Sequence, residues 1–383
     1  MMKNLNRRRF LGLSGAALAA MNMPAISRHH VISNEGSNGP APERSNGPVP
    51  MIHAGDIYHE YADPDDHFDL ATVYALASSG LVDLKGILFD WPLKRFGDPD
   101  VMGVAQMNYI SGLVVPSVTG SPQPMKHRND VKPDLDTIEL QGVNWLIKTL
   151  KRSDSPVVIN IVGASTNVAI ALKKDPELFR NKCKAIYLNA GIGLNNKGEE
   201  YDYNVKLDPS SYAAIFDAPC PVYWLPVYED RKKLEVGGYG SKYSFMHDDI
   251  FRYLPKKLLN FFLFMLARSR HTKWLEYLNE EPDRNVIAWK GPQSRAMWCT
   301  AGFLHAAGKK VTTKGVIVPL DAEEEAVCSF EPVDAHCDDQ GYTSWEADPQ
   351  STTRYIFHVD NVDHYGEAMT SALRDMLLWL PEN

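Results

Sequence analysis

The sequence predicts an α/β fold: a mainly parallel, open sheet with helices on both faces, extra helices inserted late, and a C-terminal strand and helix added. Three observations carry this. Beyond Pro50, strand-like and helix-like runs alternate, as successive βα units do. Pro156-Val-Val-Ile-Asn-Ile-Val162 is a continuous, mostly apolar run, the pattern of a strand buried on both faces. With 44% hydrophobic and 23% charged residues over 383 positions, the chain has material for one large core.

Taken in order, Asp56–Tyr61 reads as a strand and Leu70–Ser79 as an apolar-rich helix. Leu84–Phe89 is strand-like, Val101–Leu113 has helical spacing, and Pro116–Gly120 is a short strand. Leu135–Lys151 is helical, Pro156–Val162 a strand, and Asn167–Lys174 a helix. Lys184–Asn189, Pro209–Phe216 and Pro221–Val227 continue as strand, helix and strand. Leu254–Leu278 reads as one long helical stretch whose apolar part, Leu258–Ala267, is too short for a membrane span and suits a buried helix or one lining a pocket mouth. Thr353–Val359 is strand-like and Tyr365–Leu380 an amphipathic helix. Ligands of such sheets bind beyond the carboxyl ends of the strands.

The N-terminal residues stand apart. Asn6-Arg7-Arg8-Arg9-Phe10-Leu11 precedes a weakly apolar run ending near Ala20, and residues 1–26 resemble a twin-arginine export signal. That run is too short to cross a bilayer, so no stable span is expected. A periplasmic or extracellular location follows, with an uncleaved anchor as the alternative. Residues 27–50, rich in Ser, Asn, Gly and Pro, read as a disordered linker, and 51–383 as the α/β domain. The net charge of −8 argues against a nucleic-acid partner. Five cysteines lack Cys-x-x-Cys spacing, which argues against structural zinc; Cys328 and Cys337 are the one close pair in sequence.

Chemistry concentrates in Asp63-Pro-Asp65-Asp66-His67-Phe-Asp69-Leu70-Ala71, just after the first expected strand. Four carboxylates this close repel. They are kept together by a cation, or because one must hold a proton; an acidic turn capping a helix is the inert reading. His67 beside them is a proton-transfer candidate, although a lone turn histidine is more often a simple hydrogen-bonding group.

Two more segments join it: Ile161-Val162-Gly-Ala-Ser-Thr-Asn167, and Asn196-Lys-Gly-Glu-Glu-Tyr-Asp202-Tyr-Asn204-Val-Lys-Leu-Asp208-Pro209. Together, in this order, the three resemble the inosine/uridine-preferring nucleoside hydrolase family from about Asp56 to Ala307. The resemblance implies water attack at the anomeric carbon of a small nucleoside or related glycoside, through an oxocarbenium-like transition state. It implies Asp65 as the base, and a calcium site of Asp63, Asp65, nearby Asp66 and the Val162 backbone carbonyl. Asp69, Asn196, Asp202 and Asn204 would hold the sugar, Asp202 one methylene shorter than the family's Glu. Thr166 and Asn167 are expected to cap and start the next helix.

The sequence departs from the family pattern in three places. Leu70 fills the slot of a calcium-binding aspartate. Trp298-Cys299 falls where the family has His-Asp; thiolate is a soft ligand and indole is none. Trp298 is instead a stacking surface for a base, or a core aromatic. Phe89-Asp90-Trp91-Pro92 replaces a Gly-Asn, with Asp90 in the polar role. His247-Asp248-Asp249 is a weaker replacement pair. No organic cofactor is expected, the calcium site is weakened, and a homo-oligomer is compatible with the sequence. A non-catalytic ligand-binding protein on the same fold, or a metal-independent hydrolase of another sugar linkage, are the rival readings.

Overall fold

A computed structural model describes residues 47–59, 64–90, 98–194, 202–230 and 238–382. Nine strands form one sheet: β1 (Val49–Gly55), β2 (Val82–Phe89), β3 (Ser117–Thr119), β4 (Val157–Ile161), β5 (Cys183–Asn189), β6 (Val222–Leu225), β7 (Cys328–Cys337), β8 (Thr343–Ala347) and β9 (Arg354–Val359). Their order is β8-β7-β9-β6-β5-β4-β1-β2-β3. From β3 to β9 every neighbouring pair is parallel; β7 alone runs the other way, pairing antiparallel with both β9 and β8. This is the expected mainly parallel α/β sheet. The chain winds outward from β1 in both directions, so a crevice opens between the carboxyl ends of β1 and β4, where such sheets hold ligands.

Helices cover both faces because alternate strand residues are apolar on both. On one face Met51, Val158, Tyr187, Tyr223 and Tyr355 pack with α1 (Asp65–Ser78), α2 (Val101–Ser111), α9 (Lys256–Leu266), α11 (Thr300–Ala306) and α12 (Val362–Leu377). On the other, Ile52, Ile159, Ile186 and Trp224 meet α3 (Gln141–Arg152), α4 (Thr166–Lys174), α5 (Pro176–Lys182) and α7 (Pro209–Ile215). The helices α6 (Tyr203–Leu207), α8 (His247–Phe251) and α10 (Arg284–Lys290) are short. Residues 66–76 of α1 are all buried, as expected of a helix apolar on every side. Side by side across the first face run His53, Asn160, Tyr187, Tyr223 and Tyr355, one from each of five adjacent strands.

Several elements differ from the sequence reading. The first strand is Val49–Gly55, not Asp56–Tyr61, so the supposed linker already contains Val49 and Pro50 of β1. Pro50 lies near the strand start, where a missing N–H is tolerated. Of the expected strand's described residues, Asp56–His59, only Tyr58–His59 is extended, paired with Asp98–Pro99, and Glu60 and Tyr61 lie outside the described residues. The stretch Leu254–Leu278 is not one helix. It stops at Leu266, Arg268 takes a left-handed φ of 50°, and a 3₁₀ turn follows at Glu276–Asn279. Residues 121–140 form a long ordered loop, and α3 starts only at Gln141. Cys328 and Cys337 sit at opposite ends of one ten-residue strand, far too distant to pair. Among the described residues, no helix is long and apolar enough to cross a membrane. The export-signal stretch, residues 1–26, lies outside the described residues, as do residues 27–46.

Candidate active site

The crevice between β1 and β4 is acidic. β1 ends at Gly55, and Asp56 follows at once; β2 ends at Phe89, followed by Asp90. Both carboxylates reach over Gly163, immediately beyond β4. A Cβ there would lie 2.4 Å from Asp90 Oδ2 and 2.7 Å from Asp56 Oδ1, so only glycine lets the two close in. Asp90 is buried. Burial and the Asp56 charge push its carboxyl well above the usual carboxylate range, against the Ala164 N–H and the Asn167 amide that favour its charge. Asp90 Oδ2 has no hydrogen-bond partner among the described residues.

Asn167 holds the other oxygen. Its Nδ2 donates to Asp90 Oδ1 at 3.1 Å, and its Oδ1 accepts the Ser121 N–H at 2.7 Å. Thr166 Oγ1 donates to Asp208 Oδ2 at 2.7 Å. Thr166 and Asn167 start α4 as expected, but neither caps it: Ser165 is at the N-cap and makes no side-chain cap. The expected caps instead tie the β4 end to its neighbours.

The third acidic group is on α1. Asp65 and Asp66 form its first turn, where the helix dipole favours negative charge, and Asp69 follows one turn after Asp65 on the same side. Asp66 and Asp69 are buried and Asp65 half-buried. Tyr58 bridges this group to the strand ends: burial, then the charges of Asp56, Asp90 and Asp66, then Tyr203, all raise its phenol. Across from α1, burial and Asp69, to which its S–H donates, raise the Cys299 thiol, with Asp65 and Asp66 adding to the effect. Cys299 therefore stays a neutral thiol facing three aspartates. Leu70 is fully buried in the core and offers nothing to the crevice. His67 turns away: its Nε2 pairs with Asp100 Oδ2 at 2.8 Å. Burial opposes ionisation of Asp100, but His67 and the Gly103 N–H win and hold its carboxyl below the usual range.

Asp202 and Asn204 border the crevice from beyond β5. Asn204 Nδ2 donates to the Val162 carbonyl at 2.8 Å and to the Asn189 carbonyl at 3.1 Å. Asp202 is buried at the N-cap of α6, where its carboxylate accepts the N–H groups of Asn204, Val205 and Gly191. Trp298 is half-buried, edge-on to Tyr228 with ring centroids 6.4 Å apart, and its Nε1 has no hydrogen-bond partner among the described residues. His247 is committed to the Lys290 carbonyl at 3.0 Å. Asp63 and Asn196 lie outside the described residues.

Among the described residues these donors form no complete calcium cage, and Asp63, an expected ligand, lies outside them. Among the described residues no three His, Cys, Asp or Glu side chains come together as a metal-binding group. The Val162 carbonyl accepts from Asn204 with one of its two lone pairs, and the two positions where the family resemblance leads one to expect further ligands carry the apolar Leu70 and the Cys299 thiol.

An open α/β sheet whose switch-point crevice is lined by carboxylates and a carboxamide is a suitable frame for sugar chemistry, and the comparisons agree. The inosine-uridine preferring nucleoside hydrolase model matches residues 63–270, more than half of the chain, and the chain belongs to that family. The pyrimidine-specific ribonucleoside hydrolase RihA of an Enterobacter species is 27% identical over 179 residues, 42% of this chain and 56% of that protein. The Citrobacter koseri protein of the same name is 34% identical over 81 residues, 21% of this chain and 26% of its own. The chain thus spans little more than half the length of the first of these relatives, and about a quarter of the second. A purine-preferring ribonucleoside hydrolase from Gardnerella vaginalis shares the fold, with a TM-score of 0.53 and 14% identity over 86% of this chain and 99% of that one. A plant nucleoside hydrolase gives 0.52 and 14%, over 86% and 99%.

Proposed function

We propose that the protein hydrolyses the N-glycosidic bond of a small ribonucleoside or a related glycoside. The carrying observation is the convergence of α1 carboxylates with Asp56 and Asp90 at the β1–β4 crevice of a nucleoside hydrolase family member. Asp65, half-buried at the head of α1, is the base that takes a proton from the attacking water. Asp69 orients the sugar hydroxyls, and the massed negative charge stabilises the cationic sugar of the transition state. Asn204 and Asp202 shape the sugar end of the crevice, and Trp298 offers an apolar face for the base. The relatives are named for both pyrimidine and purine preference, so the test panel must hold both. Base release is measured with wild type and Asp65→Asn. Release by wild type, lost in the variant, supports the reading; equal behaviour of the two on every substrate overturns it.

A second reading is favoured by one specific observation: two ligand slots of the family's metal hold Leu70 and Cys299. On it, the protein binds a nucleoside or sugar without cleaving it. Saturable binding of an intact nucleoside, with no base released, would select it.

A further inference from the structure

The strands β7 and β8 lie beyond the residues that the family model matches, yet their hairpin grips the chain on both sides of the Asp202–Asn204 segment, which borders the crevice. Before that segment, Trp345 Nε1–H donates to the Gly193 carbonyl and Thr343 Oγ1 to the Ile192 carbonyl at 3.5 Å. After it, the hairpin turn abuts α6: Gly341 has a left-handed φ of 90°, and a Cβ there would lie 3.0 Å from Val205 Cγ1 and 3.1 Å from Pro209 Cβ. The turn is fixed from within by Asp338, whose Oδ1 accepts the Gln340 and Tyr342 N–H groups, both at 3.0 Å. It is fixed from outside by Arg128, which donates to the Cys337 carbonyl at 2.6 Å. Tyr239 wedges against Trp345, with centroids 4.7 Å apart.

The grip is relayed inward by hydrogen bonds. Gly193 N–H donates to the Tyr228 carbonyl at 2.8 Å, which keeps this turn on the β6 side. Two residues earlier, Gly191 N–H donates to Asp202. Asp202 in turn accepts the Asn204 N–H at 2.8 Å, and Asn204 holds the Val162 and Asn189 carbonyls. We propose that the β7–β8 hairpin is a brace that positions Asp202 and Asn204 against the end of β4, with Trp345 as its main positioning residue. An indole N–H suits the task because it donates only, and its ring is locked by packing. The consequence for substrate rests on the hydrolase reading; the brace itself does not.

The experiment uses the full chain with Trp345→Phe, which keeps an aromatic ring beside Tyr239 but removes the N–H, and Thr343→Val as a milder second variant. Amide hydrogen exchange is followed at Gly191, Gly193, Asn204 and Val205. Exchange at these positions is expected to quicken at least tenfold in Trp345→Phe, while the melting temperature and exchange in β1 and β4 stay at wild-type values. In base-release assays KM should rise about three- to tenfold with kcat within twofold. Unchanged exchange at Asn204 and Val205 in both variants, or a loss of protection spread evenly over the sheet, overturns the brace. If wild type releases no base, the hydrolase reading fails, and the exchange data still decide the brace.

Discussion

Asp90 and Asn167, 77 positions apart in sequence, are joined by a 3.1 Å hydrogen bond that crosses the crevice from the end of β2 to the first turn of α4. Asn167 also accepts the Ser121 N–H, so its carboxamide serves two buried partners. Replacing it with alanine leaves the Ser121 amide without a partner and takes from Asp90 one of its two hydrogen-bond donors. We expect Asn167→Ala to destabilise the fold by about 2–4 kcal/mol, roughly one unmade buried bond at each end. Urea denaturation measures this; a change below 0.5 kcal/mol, taken as ~the noise of surface substitutions, would contradict it.

Asp69→Asn should separate function from stability. Asp69 is buried beside Cys299, close to Asp65 and Asp66. Neutralising one member of a like-charged group relieves repulsion. The melting temperature should therefore rise, while base release falls by about 10²–10⁴-fold, the usual worth of a positioned catalytic group. A variant that is both less stable and fully active would refute both halves.

Cys299 offers a gain-of-binding test. Cys299→Asp restores a hard oxygen ligand opposite the α1 aspartates. Without calcium, another buried carboxylate should lower the melting temperature. Added calcium should then raise it in the variant by several degrees more than in wild type, because ligands that bind only the native state stabilise it. Thermal shift with calcium, and with magnesium as control, gives the answer. Equal shifts in variant and wild type would show that the α1 carboxylates do not face this position as a set.

Buried His53 and half-buried His305 set a pH trend. Burial lowers His53 to about 3 and His305 to about 4. In the unfolded chain each takes a proton near pH 6.5, whereas the folded chain leaves both neutral. Stability is therefore at its full value above pH 6.5 and falls with acidification, until each histidine protonates in the fold too. Each contributes a slope of up to about 1.4 kcal/mol per pH unit. The raised carboxyl of Asp90 works with opposite sign. Comparing wild type with His53→Phe between pH 6.5 and 4.5 cancels that term. The variant should show the shallower decline, and parallel curves would rule the explanation out.

The export reading has its own test. Arg7→Lys together with Arg8→Lys removes the paired arginines and keeps the charge. The variant should accumulate in the cytoplasm of a bacterial host while wild type reaches the periplasm, as cell fractionation reports. Equal distribution of the two would dismiss a twin-arginine route.

The sheet was legible in the sequence because its strands are short apolar runs at regular spacing, and periodicity is a local property. The Pro156–Val162 run marked β4 within a residue of its bounds. The register of β1 was not legible. Pro48 and Pro50 resemble linker punctuation, and so Asp56, which closes β1 and faces Asp90, passed for the first residue of a strand. A Gly-Asp pair after an apolar run was the available signal. Asn167 was misread for a similar reason: Thr-Asn before an alanine-rich run has the chemistry of a cap, and only the fold brings Asp90 and Ser121 to it. Asp65, Asp66 and Asp69 lie near Cys299, and Asn204 reaches the Val162 carbonyl beyond β4. The hairpin of β7 and β8 was invisible, because half-exposed antiparallel strands lack a continuous apolar run and their partners are remote in sequence.

The pairing of β6 with β9 aligns Tyr223 with Tyr355, about 130 residues later in the chain. While those residues are being made on the ribosome, β6 presents an open edge of Val222, Tyr223, Trp224 and Leu225, the composition most prone to recruit a foreign strand. Fragments that stop short of Arg354 would thus be adhesive intermediates rather than smaller working proteins. Anyone trimming the gene for expression should expect inclusion bodies from such fragments.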